Sequence, residues 1–274
     1  MFFNICPTSR NFRTEVRRPL PFVVKLPRIE KRMLKENERQ DKQPIAFLVG
    51  GGSMFPAILE AHHKKGAPFY PSLVVSHKKE SPQGVELARR EGLNAFYFNF
   101  VQLKNKLKDK GGISRKTYDE LLGALVSQSY YKPKGVVMAG WDLVLSEHFL
   151  NYFSREDGFW NVINLHPALL PDENTDTFTT SKGTTIPVLR GVECLETAWN
   201  QHLPITGCTV HFATPTFDVG PVIVRSEIEP DYKNESFESF SKRFHEMEKK
   251  ALVEAIELFA SDKITIKNGK VIRK

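Results

Sequence analysis

The sequence predicts an α/β fold with a Rossmann-like, mostly parallel twisted sheet and helices on both of its faces. Apolar runs suited to buried strands alternate with segments of helical periodicity over much of the chain. Towards the C-terminal side, residues 206–213 and 221–228 instead alternate apolar and polar residues and flank one loop. This pair predicts an antiparallel extension of the parallel sheet.

The elements can be placed in chain order. Strands are predicted at residues 44–49, 72–76, 95–99, 135–139 and 160–165, followed by the antiparallel pair. Helices are predicted at residues 54–65, 83–91, 114–129, 192–201 and 236–259, with a short helix N-capped by Ser146. Polar residues 172–185 predict a small excursion or hairpin, and Asn268-Gly269 predicts a type I′ hairpin near the C-terminus. The predicted units are a basic flexible arm (1–43), a catalytic domain (44–261) and the C-terminal hairpin (262–274).

The net charge of +7 is concentrated in the first 43 residues, which carry eleven Lys or Arg and five Asp or Glu. The rest of the chain is nearly neutral, which argues against a nucleic-acid partner for the main domain. The arm has no sustained periodicity and predicts a flexible tail. Three interpretations of it stay open: a dispensable tail, an organelle transit peptide, or an upstream extension of the reading frame with Met33 as the start.

The three cysteines, Cys6, Cys194 and Cys208, show no metal-like spacing. They predict a reducing compartment with neither disulfides nor a zinc site, and we expect a cytoplasmic protein unless the arm directs it to an organelle. No uncharged run reaches the length of a membrane span, so no membrane partner is expected.

Asn164 and His166 are one residue apart at the end of an apolar strand that Pro167 terminates. On an extended segment both side chains project from the same face. An amide and an imidazole in that position can stabilise an oxyanion and move a proton. The alternative is a strand end with a hydrogen-bonded Asn and a core His.

Three segments fall at the carboxyl ends of predicted parallel strands, where ligands bind in such sheets: residues 50–53, 140–145 and 164–166. The first is Gly-Gly-Gly-Ser between a strand and a helix, which suits either an anion or a tight structural turn. The sheet could also bring His211 and Asp218 to Asn164 and His166. A carboxylate beside a histidine raises its pKa and fixes its tautomer. No Ser or Cys occupies a nucleophile elbow, which favours direct attack by a substrate amine on a bound acyl donor.

Three motifs together are similar to those of the folate-dependent formyltransferases, over about residues 45–259: Asn164-Leu165-His166-Pro167 with its Leu-Leu-Pro continuation, residues 207–212, and Asp218-Val219-Gly220-Pro221. The resemblance implies that 10-formyltetrahydrofolate is the formyl donor, that no metal is needed, and that the substrates are small molecules. The glycine loop and the segment around Trp141 narrow it to the branch that formylates glycinamide ribonucleotide in purine biosynthesis. A monomer or homodimer is expected.

The resemblance also implies roles for individual residues. Asn164, His166 and Asp218 match the catalytic trio, with His211 as a further candidate that could equally be a core histidine. Gly52, Ser53 and Met54 match the segment that holds the ribose phosphate, and Glu248 matches a glutamate at the acceptor amine and ribose. The residues that match the folate pocket are Arg115, Asp142, Leu143, Val144, Leu145, Thr214 and Phe217. Alone, Glu248 and Arg115 would each be taken for solvated helix residues.

The sequence departs from the family pattern at Met54, where an asparagine is usual, and at Asp142 and Leu143 in the folate segment. The short family loop after Leu-Leu-Pro is stretched through residues 172–191. The acceptor could therefore be another amine such as an amino sugar, or water, as in a formyltetrahydrofolate hydrolase. A non-catalytic ligand-binding homologue and a nucleic-acid-binding protein acting through its basic arm are the alternatives from other classes.

Overall fold

A computed structural model of the protein describes residues 41–78, 83–108 and 111–274. The predicted arm, with its transit-peptide and Met33 interpretations and Cys6, lies outside the described residues except for its last three positions. Within the described part, no helix is long and apolar enough to cross a membrane.

Eleven strands are found in the described part of the chain. In order they are β1 (Gln43–Val49), β2 (Phe69–Ser76), β3 (Ala95–Tyr97), β4 (Gly135–Ala139), β5 (Val162–His166), β6 (Thr177–Thr179), β7 (Thr185–Pro187), β8 (Thr206–Phe212), β9 (Val222–Ile228), β10 (Ile264–Lys267) and β11 (Lys270–Arg273). Seven of them form one sheet in the order β3-β2-β1-β4-β5-β8-β9. The pairs from β3 to β5 are parallel, whereas β8 pairs antiparallel with both β5 and β9. The predicted mostly parallel sheet with an antiparallel extension is confirmed.

The described helices are α1 (Phe55–His63), α2 (Gln83–Arg90), α3 (Phe100–Lys106), α4 (Arg115–Val126), α5 (Glu147–Leu150), α6 (Cys194–Asn200) and α7 (Phe237–Ala260), with a 3-10 turn at Asn151–Phe153. Alternate side chains of β1 enter two separate cores. Phe47 packs with α1 and α7, whereas Leu48 packs with α4 and α5 on the other face. Burying each such side chain contributes about 1.5–3 kcal/mol, so the β1 pattern fixes the sheet between two helical layers.

One local prediction was wrong, and a second was confirmed only in position. Residues 98 and 99 do not belong to β3, because Asn99 instead caps the unpredicted helix α3 by accepting a hydrogen bond from the Gln102 N–H at 2.9 Å. Ser146 occupies the N-cap position of α5, but its hydroxyl makes no cap and donates to Asp119 Oδ2 at 2.7 Å. The hydroxyl is oriented towards the buried carboxylate of Asp119, and in this orientation its oxygen accepts no hydrogen bond from the first turn of α5.

Both predicted hairpins are present. Of the two alternatives for the polar segment 172–185, the structure shows a hairpin, whose strands β6 and β7 pair antiparallel and which extends two residues further than predicted. The C-terminal strands β10 and β11 also pair antiparallel, and Asn268 and Gly269 between them have φ of 51° and 74°. Positive φ at both central residues is what a type I′ turn requires.

Candidate active site

The loops after β1 and β4 meet at the point where the strand order of the sheet reverses, which is where doubly wound sheets bind ligands. A Cβ on Gly50 would lie 2.2 Å from the Gly140 carbonyl oxygen, so glycine is required for this approach. The Ser76 hydroxyl at the end of β2 donates to the Gly50 carbonyl at 2.9 Å. The carboxyl ends of three neighbouring strands are thereby held together.

A cavity of about 420 Å³ opens at this edge of the sheet. It is lined by all four predicted catalytic candidates and by all the predicted folate residues except Arg115: Asn164, His166, His211, Asp218, Asp142, Leu143, Val144, Leu145, Thr214 and Phe217. Of the other described candidates, Arg115, Gly52, Ser53, Met54 and Glu248 do not line it. The donor and catalytic candidates therefore share one concave surface, and the phosphate and ribose candidates lie outside it.

His166 lies at the end of β5, directly before Pro167, and is 3% exposed. Its Nδ1 is 3.4 Å from Asp218 Oδ1, and its Nε2 is 2.9 Å from the Leu189 carbonyl oxygen. Both ring nitrogens thus face oxygen acceptors. A doubly protonated imidazolium can donate to both, whereas a neutral ring can donate to only one.

Asp218 is buried and its φ is 56°, in the left-handed region. One carboxylate oxygen faces His166, and the other accepts a hydrogen bond from the Gly191 N–H at 3.0 Å. Leu189 and Gly191 were missed as site residues. Gly191, the first glycine after the long polar segment, was the one available signal in the sequence.

His211 on β8 is opposite Asn164 on β5 in the strand register. Burial is the main cause that lowers the His211 pKa to about 4, with nearby His166 lowering it further and Asp218 raising it. The ring is therefore neutral at pH 7. Its Nδ1 is 3.0 Å from the Phe212 carbonyl oxygen and so carries the hydrogen, which leaves Nε2 to accept from Asn164 Nδ2 at 3.3 Å. His211 can orient the Asn164 amide, and its Nε2 is also 3.9 Å from Asp218 Oδ1.

Cys194 lies at the start of α6 with its Sγ 3.7 Å from His166 Nε2. Burial, and to a lesser extent the negative charge of Asp218, raise the pKa of this thiol to about 11. The sulfur stays protonated and is a poor nucleophile.

Arg115 contacts the backbone of the predicted folate segment and is not among the residues that line the cavity. Its Nη2 donates to the Val144 carbonyl at 2.7 Å, and its Nε is 3.3 Å from Asp119 Oδ1. Asp119 is 1% exposed and accepts hydrogen bonds from both the backbone N–H and the hydroxyl of Ser146. This network fixes both ends of residues 144–146. Asp119 was not predicted, although its spacing of four from Arg115 was visible in the sequence.

Asp142 lines the cavity and has partners from the end of β2. His77 Nε2 lies 2.7 Å from Asp142 Oδ1, and the Lys78 ammonium pairs with the other oxygen. The pKa of His77 is lowered mainly by burial, against which Asp142 raises it. Trp141 places its ring edge-on to His77, with centroids 4.5 Å apart. The Asp142 carboxylate is tolerated at this position because His77 and Lys78 pair with its two oxygens. Neither partner was predicted.

The glycine loop is only partly available to a ligand. A Cβ on Gly52 would lie 2.3 Å from the Gly84 backbone nitrogen, and Met54 is 5% exposed within the hydrophobic core. Ser53 is exposed directly before α1. The Met54 side chain packs inwards, which agrees with the loss of a side-chain contact that its departure from the family pattern implies, so only its backbone remains a candidate at the phosphate. The tight-turn interpretation explains Gly52, and the loop backbone and Ser53 remain the candidates for an anion.

Glu248 is not a solvated helix residue, because it is 4% exposed on α7. His245, one turn earlier, places Nδ1 2.7 Å from Glu248 Oε2, and this hydrogen bond is the main cause that raises the His245 pKa. A buried carboxylate with one described polar partner is unusual in a helix interior and is a functional-site candidate. Among the described residues, no group of three or more His, Cys, Asp or Glu side chains could hold a metal ion.

The sequence and the fold of this chain are both similar to those of known formyltransferases. The profile of the formyl transferase family matches residues 43–256. The phosphoribosylglycinamide formyltransferase of Dictyostelium discoideum is 30% identical over 220 residues, which cover 78% of this chain and 96% of that protein. The structure of glycinamide ribonucleotide transformylase 1 from Symbiobacterium toebii superposes with a TM-score of 0.68 at 25% identity, covering 85% of this chain and 94% of that one.

A formyltetrahydrofolate deformylase from Pseudomonas syringae pv. tomato superposes with a TM-score of 0.65 at 15% identity, over 85% of this chain and 66% of that one. At this identity the likeness shows the fold alone. The same fold therefore occurs with an enzyme named for deformylation, and the acceptor has to be argued from the site. The family profile, which spans most of the described chain, shows that the protein belongs to the formyl transferase family.

Proposed function

We propose that the protein transfers the formyl group of 10-formyltetrahydrofolate to the amino group of glycinamide ribonucleotide, a step of de novo purine biosynthesis. One observation carries the proposal. Asn164, His166 and Asp218 meet at one end of a cavity whose other wall is the predicted folate segment. The relatives named for this reaction in the two comparisons support the same acceptor.

In the proposed reaction the substrate amine attacks the formyl carbon and forms a tetrahedral oxyanion. The Asn164 amide, held by His211, donates one N–H to that oxygen, and the His166 imidazolium provides the positive charge beside it. Asp218 stabilises the imidazolium. The bond from the carbon to N10 of the folate then breaks, and a proton lost by the amine reaches N10. The products are the formylated amine and tetrahydrofolate, and no protein nucleophile is consumed.

The donor would occupy the cavity against the apolar side chains of Leu143, Val144, Leu145 and Phe217. Of these, Val144 and Phe217 are more than half exposed, which a bound ring system would cover. The acceptor phosphate would lie at Ser53 and the backbone before α1, where a helix N-terminus favours an anion. Glu248 would bind the amine or ribose of the acceptor.

The proposed catalytic domain is residues 44–261, which the family profile nearly spans. A monomer or homodimer and a cytoplasmic location stay predictions, as does the role of the arm. Gel filtration with light scattering, together with mass spectrometry of the native N-terminus, would test them.

The direct test is to incubate the purified protein with both substrates and follow the folate absorbance. Turnover that requires glycinamide ribonucleotide supports the proposal. Equal donor consumption without an acceptor would instead identify a hydrolase, and turnover with an amino sugar alone would identify another acceptor. Binding of both ligands by calorimetry without transfer would identify a non-catalytic homologue.

A further inference from the structure

The long segment between β5 and α6 returns to the catalytic residues at its end. The carbonyl of Leu189 faces His166 Nε2 at 2.9 Å, and the N–H of Gly191 donates to Asp218 Oδ2 at 3.0 Å. Arg190 lies between these two backbone contacts. The orientation of both catalytic side chains therefore depends on how three consecutive residues are held.

Arg190 joins two parts of the chain that are distant in sequence. Its Nη2 donates to the Thr175 carbonyl at 2.9 Å, and its Nε is 3.5 Å from the Asp218 carbonyl oxygen. The side chain is 19% exposed. The Val188 N–H donates to the Asp176 carbonyl at 2.9 Å, which ties the same stretch to the start of the β6–β7 hairpin. The guanidinium thus links the hairpin to the backbone of Asp218.

The β6–β7 hairpin is itself anchored to the sheet. The backbone N–H and the hydroxyl of Ser181 both donate to the Glu227 carboxylate on β9, at 2.8 and 2.6 Å. Ile186 packs in a small core with Leu169 and Ile205, against which Phe178 also packs. A hairpin fixed at its tip and along its length can serve as a rigid support.

Asp218 needs such support because its backbone is in the left-handed region at φ 56°. Asp tolerates this conformation better than most residues, but it persists only where neighbouring contacts determine it. The Arg190 guanidinium contacts the carbonyl of Asp218, and the adjacent Gly191 N–H contacts its carboxylate. Backbone and side chain are held from the same short segment.

We propose that Arg190 is a positioning residue through which the inserted β6–β7 hairpin sets the orientation of the Asp218 carboxylate towards His166. The proposal rests on the proposed function for its kinetic consequence but not for its structural one. Two of the guanidinium nitrogens already have backbone partners, and the third is 4.0 Å from Asp176. That arrangement suits a cross-link better than a ligand for the acceptor phosphate.

The kinetic test compares Arg190→Ala and Arg190→Lys with Arg243→Lys. Arg243 is the control, because its guanidinium also donates to a backbone carbonyl and pairs with a carboxylate, but it lies on α7 and its hydrogen bonds go to Glu229 and Glu235. We expect Arg190→Ala to lower kcat about 10–100-fold, as small misplacements of catalytic groups do, while each KM changes less than about threefold. Arg190→Lys should retain more activity, added guanidinium should restore part of kcat to Arg190→Ala, and Arg243→Lys should match the wild type.

A second readout does not depend on activity. In proteins with ¹⁵N-labelled histidine, Arg190→Ala should shift the ring signals of His166 and leave those of His148, which pairs with Glu120 away from the cavity, unchanged. If Arg190→Ala fails to fold, Arg190→Lys carries both measurements. Shifted His166 signals in an enzyme that formylates nothing would overturn the proposed function and support the positioning role. Unchanged His166 signals with unchanged kcat, or a raised acceptor KM at constant kcat, would overturn the positioning role.

Discussion

Asn164 on β5 faces His211 on β8 across an antiparallel strand pair, and the side-chain amide nitrogen lies 3.3 Å from the imidazole Nε2. The other ring nitrogen donates to the Phe212 carbonyl, which fixes the neutral tautomer as an acceptor at Nε2. The amide oxygen and nitrogen of Asn164 are thereby distinguished, because one N–H donates to His211 and the second N–H is left for an oxyanion.

This assignment predicts a pH dependence of stability. The His211 pKa is about 4 in the folded protein against an ordinary 6.5, so the unfolded chain binds the proton first as the pH falls. The stabilising effect is complete above pH 6.5 and is lost down to about pH 4. We expect the free energy of unfolding to fall by about 1–3 kcal/mol over that window because of this residue.

Denaturant unfolding at pH 7 and pH 4.5 measures this effect. In His211→Phe the dependence should be smaller than in the wild type, whereas His148→Gln, at a partly exposed site, should keep the wild-type difference. An unaltered pH dependence in His211→Phe would show that another group is responsible. The same variant should also lower kcat, because the Asn164 amide loses its partner.

The Arg115–Asp119 network predicts a separate effect on donor binding. Arg115→Lys loses the hydrogen bond to the Val144 carbonyl, which should loosen the wall of the cavity and raise the donor KM about 3–10-fold with little change in kcat. Steady-state kinetics with each substrate varied in turn checks this.

A donor analogue that lacks the glutamate tail distinguishes two roles of Arg115: holding the Val144 backbone, and contacting the donor directly. If Arg115 acts by holding the Val144 backbone, the variant should lose the same factor with the analogue as with the full donor. A loss that disappears with the analogue would mean that the guanidinium binds the donor carboxylates directly.

The buried position of Met54 predicts that restoring the family's asparagine there will destabilise the protein and will not improve binding of the acceptor. The side chain is buried in the core, so Met54→Asn should lower the free energy of unfolding by about 2–4 kcal/mol through lost packing and a buried amide. Met54→Leu conserves volume and should stay near the wild type. Chemical unfolding of both variants checks this, and a lowered acceptor KM in a stable Met54→Asn protein would contradict the inward placement.

The hydrogen bond between His245 and the buried Glu248 carboxylate predicts that the pKa of His245 depends on Glu248. The hydrogen bond to Glu248 raises the His245 pKa above 6.5, so the stability that it contributes is present below pH 6.5 and is lost as the pH rises through the folded-state pKa. Glu248→Gln should return the His245 pKa towards 6.5 in an NMR titration. Glu246→Gln is the control, since its charge is the smallest cause acting on His245.

The sequence predicts those elements of the fold that depend on a local residue pattern, and it predicts less well those that depend on long-range packing. Strands such as β1 and β4 are continuous apolar runs, and the spacing of Asn164 and His166 places both on one strand face from local pattern alone. Helix α3 was missed although Phe100, Leu103 and Leu107 have helical spacing, because the helix is short and these side chains are only partly buried against the core. Burial of Met54 also depends on the packing of α1, which local spacing does not encode.

The catalytic candidates were predictable for a similar reason, and their supports were not. Asp218 could be named because its motif is short and local. The contacts of Leu189, Arg190 and Gly191 depend on a hairpin that leaves the sheet and returns, so no spacing rule connects them to His166. His77 and Lys78, which pair with Asp142, likewise follow a different strand, because the end of β2 lies near the end of β4.

If His166 is the charged group at the formyl-transfer centre, removing its imidazole in His166→Ala should lower kcat relative to the wild type. The comparison is made at a temperature where an unfolding curve shows the variant to be folded, since His166 is buried and hydrogen-bonded. We expect formyl transfer to glycinamide ribonucleotide by the wild type and a fall in kcat of about 10²–10⁴-fold in the variant. A folded His166→Ala protein that transfers formyl at the wild-type rate would contradict the account.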